Sequence, residues 1–383
     1  MRVAFDAHMV GERETGNETY ALNLVRALLA LPPEARSGIE LILYATHPER
    51  LLPRLDPAEL APIRRIRPEP APLRVPFSLP LAALQDQADL LHVCYVAPPV
   101  RPCPCVVTVH DISYEFYPQF FSPRDRLMLR TMVPLTLRRA AWVITVSEHS
   151  RREIMRRYSL PADRIAVTYE AAASQYRPIA DPAVLADVRA RYGLRERYLL
   201  ALGNLQPRKN LIRLVDAFVR LAEQGRLEGT QLVLGGKAQW RESDLFARVK
   251  QSGLAEQICF PGYVADADLP ALYSGALAFV YPSLYEGFGL PPLEAMACAT
   301  PVVCSNAASL PEVVGDAALT CDPRDTESLA VALAQVIAQP ALREELAARG
   351  LRRAAQFSWR RCAEETLAVY RAAVAKDHHR RPA

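Results

Sequence analysis

The strongest constraint on the fold of this chain is a repeated alternation of short apolar segments with helical patterns. Because nearly continuous apolar strands separated by helices are typical of parallel sheets covered on both faces, the pattern predicts an α/β fold. It occurs twice in succession, which predicts two doubly wound domains. The predicted strands are Arg2–Asp6, Glu40–Tyr44, Leu90–Cys94, Cys105–His110, Trp142–Val146, Ile165–Thr168, Tyr198–Leu202, Gln231–Leu234, Ile258–Phe260, Ala278–Tyr281, Pro301–Cys304 and Ala318–Cys321.

The length of the chain also favours two domains. At 383 residues it exceeds the size at which one hydrophobic core usually continues to grow. The segment TYEAAASQYRPIADPA has loop composition, so we predict a first domain at 1–174 and a second at 175–357. Residues 358–383 are predicted to form a helix, capped by Ser358, and a tail that cross back to the first domain. Two such domains are expected to hold ligand in a cleft at their strand ends.

Composition excludes several classes of protein. The net charge of +4 is too small for a dedicated nucleic-acid binder. The N-terminus lacks the pattern of a signal peptide, and no apolar stretch is long enough to span a membrane, so a cytoplasmic protein is expected. The eight cysteines lack the spacing of a zinc site, which predicts free thiols and no metal.

Two adjacent cations, Arg208 and Lys209, stand just before a predicted helix of the second domain. In the segment GNLQPRKNLIRLVDAF, Gly203 allows the backbone to turn and Asn210 is placed to cap the helix Leu211–Leu221. Two cations beside the positive end of a helix suit a phosphate group. The alternative is a solvated loop with two ordinary surface charges.

Two carboxylates, Glu286 and Glu294, flank a loop in the segment LYEGFGLPPLEA. The two prolines predict a helix at Leu293–Cys298, which places Glu294 in its first turn, where the helix dipole favours a carboxylate. Glu286 has no such structural reason, since it lies on an aromatic-flanked loop at the end of a strand. Sugar and ribose hydroxyls are natural donors to acids in such positions.

The first domain offers two candidate positions at strand ends. His110 could act as a base, a metal ligand or a hydroxyl partner, and no second His or Cys lies at ligand spacing. Gly16 stands just before a predicted helix, a position suited to the approach of a phosphate. Neither domain carries G-x-G-x-x-G after its first strand, which excludes the dinucleotide fingerprint.

These segments together resemble the family 4 retaining glycosyltransferases of the GT-B fold. The carboxyl-domain signature of that family is similar to GYVADADLPALYSGALAFVYPSLYEGFGLPPLEAMACATPVVCSNAASLPEVVGDAALTCDP, within which the two-glutamate element EGFGLPPLEAMA is the most specific part. VVTVHDIS, VITVSEHSRREI and LALGNLQPRKN are similar to further segments in the same order. The resemblance implies two Rossmann-like domains that face across a cleft, with a C-terminal helix that returns to the first domain.

The resemblance also implies roles for individual residues. Glu286 would hold hydroxyls of the donor sugar, Glu294 would hold the ribose, and His110 would contact the sugar and help to position the acceptor. Gly16, Gly203, Arg208 and Lys209 would surround the diphosphate, the amides of Gly287, Phe288, Gly289 and Leu290 would line the sugar and diphosphate, and Tyr263 and Val264 would lie beside the base. Of these, His110, Glu286, Lys209 and Arg208 are the expected catalytic residues. No metal or other cofactor is implied.

Two positions depart from the family pattern. Asn204 stands where many members have an arginine, and we expect Arg208 to supply that charge. Ala299 stands where a glycine is common, which we interpret as a difference in helix packing.

The implied function is retaining transfer of a hexose from a nucleotide-diphosphate sugar to a hydroxyl of a glycan, a lipid-linked molecule or a small molecule, in polysaccharide or glycoconjugate biosynthesis. GDP-mannose, UDP-glucose and ADP-glucose are the donors expected first. The alternatives are a GT-B phosphorylase, a nucleotide-sugar epimerase and a non-catalytic sugar-nucleotide binding protein. Orthophosphate-dependent release of a sugar phosphate would identify a phosphorylase, and an intact donor would favour a binding protein.

A run of arginines suggests a further partner. Residues 122–157 contain Arg124, Arg126, Arg130, Arg138, Arg139, Arg151, Arg152, Arg156 and Arg157 against Asp125, Glu148 and Glu153. Such a run is commonly a solvated face. The alternative is peripheral contact with an anionic membrane that holds a lipid-linked acceptor.

Overall fold

A computed structural model describes residues 1–11, 15–58, 60–237 and 242–378, and these divide into two compact units. The first unit joins Met1–Glu170 to the C-terminal segment from Ser358, and the second is Ala171–Phe357. Each is built around a parallel sheet with helices between its strands. The predicted α/β class with two Rossmann-like domains is therefore confirmed. Residues 379–383 of the predicted tail lie outside the described part of the chain.

The first unit contains a sheet of seven strands in the order β3-β2-β1-β4-β5-β6-β7. Apolar residues of these strands, such as Val107 and Val143, are fully buried because helices cover both faces. The strands are β1 (Arg2–Asp6), β2 (Glu40–Ala45), β3 (Ile63–Arg65), β4 (Leu90–Cys94), β5 (Cys105–Thr108), β6 (Trp142–Thr145) and β7 (Ile165–Val167). The helices are α1 (Thr15–Ala30), α2 (Pro48–Leu51), α3 (Ala71–Leu73), α4 (Leu79–Gln85), α5 (Ser113–Phe116), α6 (Pro123–Arg139) and α7 (Glu148–Tyr158).

The second unit contains a sheet of six strands in the order β10-β9-β8-β11-β12-β13. One core cluster of this unit includes Phe218 and Leu333 from two of the covering helices. The strands are β8 (Tyr198–Leu202), β9 (Gln231–Gly235), β10 (Ile258–Cys259), β11 (Ala278–Tyr281), β12 (Val302–Ser305) and β13 (Ala318–Cys321). The helices are α8 (Pro182–Tyr192), α9 (Leu211–Glu223), α10 (Glu242–Gln251), α11 (Leu269–Ser274), α12 (Leu290–Ala297), α13 (Leu310–Val314), α14 (Thr326–Ala338) and α15 (Pro340–Ala354).

The C-terminal helix α16 (Trp359–His378) belongs to the first unit, as the fold prediction requires. Ser358 caps it, because its Oγ accepts a hydrogen bond from the amide of Arg361 at 3.4 Å. On the apolar face of the helix, the buried Tyr370 hydroxyl contacts Nδ1 of His92 in β4 at 2.6 Å. The contact between Tyr370 and His92 joins α16 to the sheet that contains β1.

Neither a membrane span nor a metal cluster is present in the described residues. No helix among them is long and apolar enough to cross a membrane. Within the same residues, no group of three His, Cys, Asp or Glu side chains is arranged to hold a metal ion. All eight cysteines are free thiols.

Candidate functional site

The candidate site of the second unit forms where β8 and β11 end side by side. These strands are neighbours in the sheet, so the segments that follow them leave its carboxyl edge together. The amide of Leu284, after β11, donates to the carbonyl of Arg208, after β8, at 2.9 Å. Sheet order thus brings together two sequence motifs that are more than seventy residues apart.

Three charged side chains meet at this point. Lys209 Nζ lies 2.7 Å from Oε1 of Glu286, and an Arg208 nitrogen lies 2.9 Å from Oε2. Both carboxylate oxygens are therefore held by a cation. Lys209 Nζ also donates to the hydroxyl of Tyr281, the last residue of β11, and Arg208 donates to the carbonyl of Tyr285 at 2.5 Å. The result is a triad of one buried anion and two partly exposed cations.

The charges of the triad keep Glu286 ionised. Burial alone would raise the pKa of this carboxyl, but Arg208 and Lys209 outweigh burial and lower the pKa to about 2. Because Glu286 neutralises one of the two cations, the triad keeps one net positive charge. An anionic ligand at this point would compete with Glu286 for the two cations.

The loop after Glu286 is held by its backbone. Ser309 Oγ donates to the carbonyls of Glu286 and Phe288 at 2.9 and 2.6 Å. Gly289 has a φ of +120°, and a Cβ there would lie 2.7 Å from Cδ2 of Leu310, so this position requires glycine. The buried Phe288 ring packs edge-on against Phe357, with centroids 5.7 Å apart. Gly287 lies in the same loop.

The helix after this loop begins earlier than predicted. α12 runs from Leu290 to Ala297, because prolines are compatible with the first turn of a helix, so the prediction of Leu293–Cys298 was wrong. Glu294 consequently lies in the second turn rather than the first, and the helix dipole does not explain it.

Glu294 occupies a different environment from Glu286. It is buried, and the hydroxyl of Tyr273 donates to its Oε2 at 3.1 Å. Burial raises the pKa of Glu294 to about 7, although hydrogen bonds from Tyr273 and Tyr176 act in the opposite direction. One acid of the pair is therefore held ionised by cations, whereas the other carries a proton for part of the time near neutral pH.

Glycines allow the ends of β8 and β9 to approach closely. Gly203 has a φ of +140° and Gly236 a φ of +144°. A Cβ on Gly236 would lie only 1.8 Å from the carbonyl oxygen of Gly203, so a side chain there would clash. Asn204, the residue after Gly203, is uncharged. The prediction that the Asn210 side chain caps α9 is wrong. The backbone of Asn210 is left-handed, and its side-chain amide donates instead to the carbonyls of Pro282 and Pro323 at 3.1 and 2.7 Å.

Tyr263 and Val264 follow β10 and differ in exposure. The Tyr263 ring is 62% exposed, whereas Val264 is buried. Lys237 Nζ lies 5.9 Å from the centre of the Tyr263 ring, and the amide of Leu205 donates to the carbonyl of Lys237 at 3.0 Å. Neither Lys237 nor Tyr281 is among the site residues predicted from the sequence. The scarcity of lysine and the position of Tyr281 at the end of a strand were the available signals.

In the first unit, His110 lies two residues beyond the end of β5 and is buried. Its Nε2 is 3.8 Å from Oε1 of Glu170, and the Tyr20 ring packs edge-on against it at 4.6 Å. Burial lowers the pKa of His110 to about 4, despite the opposing effect of Asp111, so the ring is neutral at pH 7. Within the described residues, neither ring nitrogen has a hydrogen-bond partner. A neutral ring of this kind can accept or donate one hydrogen bond to a hydroxyl.

Gly16 lies inside the first turn of α1 rather than before it, which corrects the predicted helix start. A Cβ at this position would meet no other atom within 4 Å. The fold itself therefore leaves room for a larger residue at Gly16.

Comparison with known proteins gives a consistent result. Residues 15–171 match the family model Glycosyltransferase Family 4, and residues 188–353 match the model Glycosyl transferases group 1. The chain is 41% identical over 292 residues to O-antigen chain mannosyltransferase B of Escherichia coli, which covers 76% of each chain. It is 33% identical over 224 residues to the serotype-specific mannosyltransferase WbdA of E. coli, which covers 58% of this chain and 27% of WbdA. Sucrose-phosphate synthase from Thermosynechococcus elongatus has the same fold, with a TM-score of 0.76 at 23% identity over 98% of this chain and all of that chain.

Proposed function

This chain belongs to the family 4 (group 1) glycosyltransferases of the GT-B fold, and on that premise we propose that it transfers mannose, with retention of configuration, from a nucleotide-diphosphate donor to a growing glycan. The observation that carries the proposal is the triad of Arg208, Lys209 and Glu286, which places two cations at the carboxyl edge of the sheet in the second unit. Two cations at this edge suit a diphosphate leaving group.

The choice of sugar and product is based on relatives. The relative that is 41% identical over most of its length is named an O-antigen chain mannosyltransferase, and WbdA is also named a mannosyltransferase. We therefore place GDP-mannose before UDP-glucose and ADP-glucose as the donor, and synthesis of a cell-surface polysaccharide as the process.

An exchange of partners at the triad would connect donor binding to sugar binding. When a diphosphate binds, its oxygens would take over the hydrogen bonds of Arg208 and Lys209. The oxygens of Glu286 would then be free to accept hydroxyls of the sugar. As the bond to the sugar breaks, charge grows on the diphosphate, and the same cations would stabilise it. We propose that they do so without a metal ion.

The proton of the acceptor hydroxyl would pass to the diphosphate of the donor. The described site shows no carboxylate placed as a free nucleophile, since both oxygens of Glu286 are engaged by cations. We propose that the departing phosphate oxygen takes the proton of the attacking hydroxyl on the same face of the sugar. The neutral ring of His110 would orient hydroxyls, and Glu294 would accept a hydrogen bond from the ribose.

Peripheral contact with an anionic membrane is part of this proposal, and α6 supports it. This helix exposes Leu127, Met128 and Leu135, together with the arginines at positions 124, 126, 138 and 139. No ion-pair partner is present for these four arginines in the described part of the chain. Of the other arginines in the run, Arg130 and Arg157 pair with Glu115 and Arg151 pairs with Glu148. An apolar row flanked by cations suits a bilayer with anionic lipids.

Incubation of the purified protein with GDP-mannose, UDP-glucose and ADP-glucose tests the proposal. A thermal-shift measurement should first show which donor raises the melting temperature, because a ligand that binds the folded state stabilises it. NMR of the product formed on a mannose-terminated oligosaccharide should then show a new α-mannosidic linkage. A β linkage would contradict retention. Release of sugar phosphate only in the presence of orthophosphate would identify a phosphorylase, and an intact donor would contradict transfer.

A further inference from the structure

A groove of about 410 Å³ lies on the first unit at the carboxyl end of β3. Its lining includes Arg64, Arg65, Arg67, Ser78, Leu81 and Gln85. Ile66, also in the lining, extends the sheet edge by donating its amide to the carbonyl of Ala45 at 2.9 Å. The groove therefore lies at the edge of the sheet where ligands of parallel α/β domains bind, and none of the candidate site residues above lines it.

A row of exposed apolar side chains borders this groove. The helical run from 71 to 85 consists of α3, the π-helical turn Arg74–Ser78 and α4, and it exposes Leu73, Phe77, Leu81 and Leu84 by 46% to 66%. Their spacing of four, four and three residues places them on one face, whereas Leu79 on the opposite face is buried. Leu81 belongs to both features, so the groove and this apolar stripe form one continuous surface.

A buried ion pair holds the helical run in place. The side chain of Arg74 is 5% exposed, and its guanidinium lies 2.8 and 3.1 Å from the two carboxylate oxygens of Asp6 at the end of β1. Burial alone would raise the pKa of Asp6, but His8 and Arg74 lower that pKa well below its usual range. The stripe is therefore exposed on an anchored element.

The charges of the groove leave one cation uncompensated. Arg64 is engaged by Gln85 at 2.7 Å and by Asp86 at 2.5 Å, and Arg65 pairs with Glu49. Arg67 is exposed and has no partner among the described residues. The nearest exposed acid along the chain, Glu69, lies 3.7 Å from His47 instead.

A second group in the lining also lacks a partner. The side chain of Ser78 is 8% exposed, and its hydroxyl has no hydrogen-bond partner in the described part of the chain. Buried hydroxyls are usually satisfied, because an unpaired one loses the hydrogen bonds it made to water. A ligand oxygen in the groove would satisfy it.

We propose that this surface binds a membrane lipid that carries a phosphate group, with the phosphate at Arg67 and Ser78 and the hydrocarbon against Phe77, Leu81 and Leu84. The inference rests on the proposed transferase function, for which it names the acceptor as a lipid-linked phosphate. In the sheet order, β3 lies four strand positions from β5, which His110 follows, and this corresponds to about 19 Å. That separation leaves room for several sugar units between the lipid phosphate and the end that receives a sugar.

Co-sedimentation with vesicles tests the proposal without any donor. The probe is phosphatidylcholine vesicles with and without phosphatidic acid, and inorganic phosphate is added as a competitor. Arg67→Glu should weaken binding to the phosphatidic acid vesicles about thirtyfold, because the variant loses the attraction of one cation to an anionic bilayer and adds the repulsion of one anion. The double variant Phe77→Gln with Leu84→Gln should weaken it by a similar factor.

Matched variants make the outcome decisive. Val331→Gln removes an exposed apolar side chain from the second unit and should bind as the parent does. Arg124→Glu probes α6 separately. The proposal is overturned if both groove variants bind the vesicles like the parent, or if only Arg124→Glu loses binding. It is also overturned if the Phe77 and Leu84 double variant binds like the parent while inorganic phosphate displaces the protein from the vesicles, because the groove would then bind phosphate without lipid. Transfer to a water-soluble mannoside is measured in parallel. Failure of that reaction in the parent would contradict the proposed function, whereas loss of vesicle binding alone would not.

Discussion

Lys209 and Glu286 form a 2.7 Å ion pair that joins the segment after β8 to the segment after β11. Glu286 is buried and Lys209 is partly exposed, and Arg208 holds the second carboxylate oxygen at 2.9 Å. Two cations for one anion would be an inefficient way to stabilise a fold, because taking charges out of water costs several kcal/mol per ion. The excess positive charge is better explained by a ligand that is itself anionic.

Removal of one cation should separate catalysis from stability. Lys209→Ala is expected to lower the rate of sugar transfer about a hundredfold, because a preorganised charge at the leaving group is lost. Glu286 keeps Arg208 as a partner, so the stability cost should be only about 1 to 3 kcal/mol. Initial rates and thermal unfolding measure the two effects.

Two further variants control this experiment. Lys250→Ala removes an exposed lysine at the end of α10 and should change neither quantity. The double variant Lys209→Ala with Glu286→Gln should recover stability but not activity. Near-normal activity of Lys209→Ala would exclude Lys209 from the reaction.

Replacement of Glu286 by glutamine should affect binding of the nucleotide diphosphate and transfer of the sugar differently. The variant loses the anion that competes with a diphosphate for Arg208 and Lys209. Calorimetry should therefore show that GDP binds at least as tightly as to the parent, whereas mannose transfer falls about a hundredfold. Weaker binding of GDP would contradict the exchange of partners proposed for these cations.

The strands of this chain were largely predictable because apolar runs bounded by turns define them. β1, β4, β8, β11 and β13 have the predicted bounds. β3 was missed, since its three residues Ile63–Arg65 include two arginines and lie at the edge of the sheet, where burial imposes no apolar pattern. It is this unpredicted strand that bounds the groove of the first unit.

The charged residues of the site were predictable, but their contacts were not. Sequence places Lys209 and Glu286 after separate strands, and only the order of the strands in the sheet brings them together. Asn210 was assigned as a helix cap from its residue type, yet a φ of +60° directs its side chain elsewhere. The environment of Glu294 depends on Tyr176 and Tyr273, which lie far from it in sequence, so its protonation could not be predicted from the local pattern.

A methyl group at Gly16 tests the approach of a phosphate to α1. Gly16→Ala fills open space within the first turn and should stabilise the helix by about 0.5 kcal/mol. If the donor phosphate approaches the backbone here, the same variant should lose about tenfold in kcat/KM, equivalent to about 1.4 kcal/mol. Thermal unfolding and initial rates distinguish the effects. A more stable variant with full activity would remove Gly16 from the site.

Glu294 should make the stability of the second unit depend on pH. Its pKa of about 7 in the folded protein lies above the ordinary value of 4.5, so the folded state binds a proton more tightly than the unfolded state. The contribution of Glu294 is therefore fully present below about pH 4.5 and is lost as the pH rises through about 7. The pKa difference corresponds to about 3 kcal/mol.

Glu294→Gln removes this titration and leaves a neutral side chain of similar shape. Relative to the variant, the parent should therefore lose melting temperature between about pH 4.5 and pH 7, the window set by the two pKa values. Glu286 does not obscure the comparison, because its pKa of about 2 keeps it ionised throughout that range. A difference between parent and variant that does not change with pH would show that Glu294 is ionised in the folded protein. Its hydrogen bond to Tyr273 would then have to stabilise a buried charge.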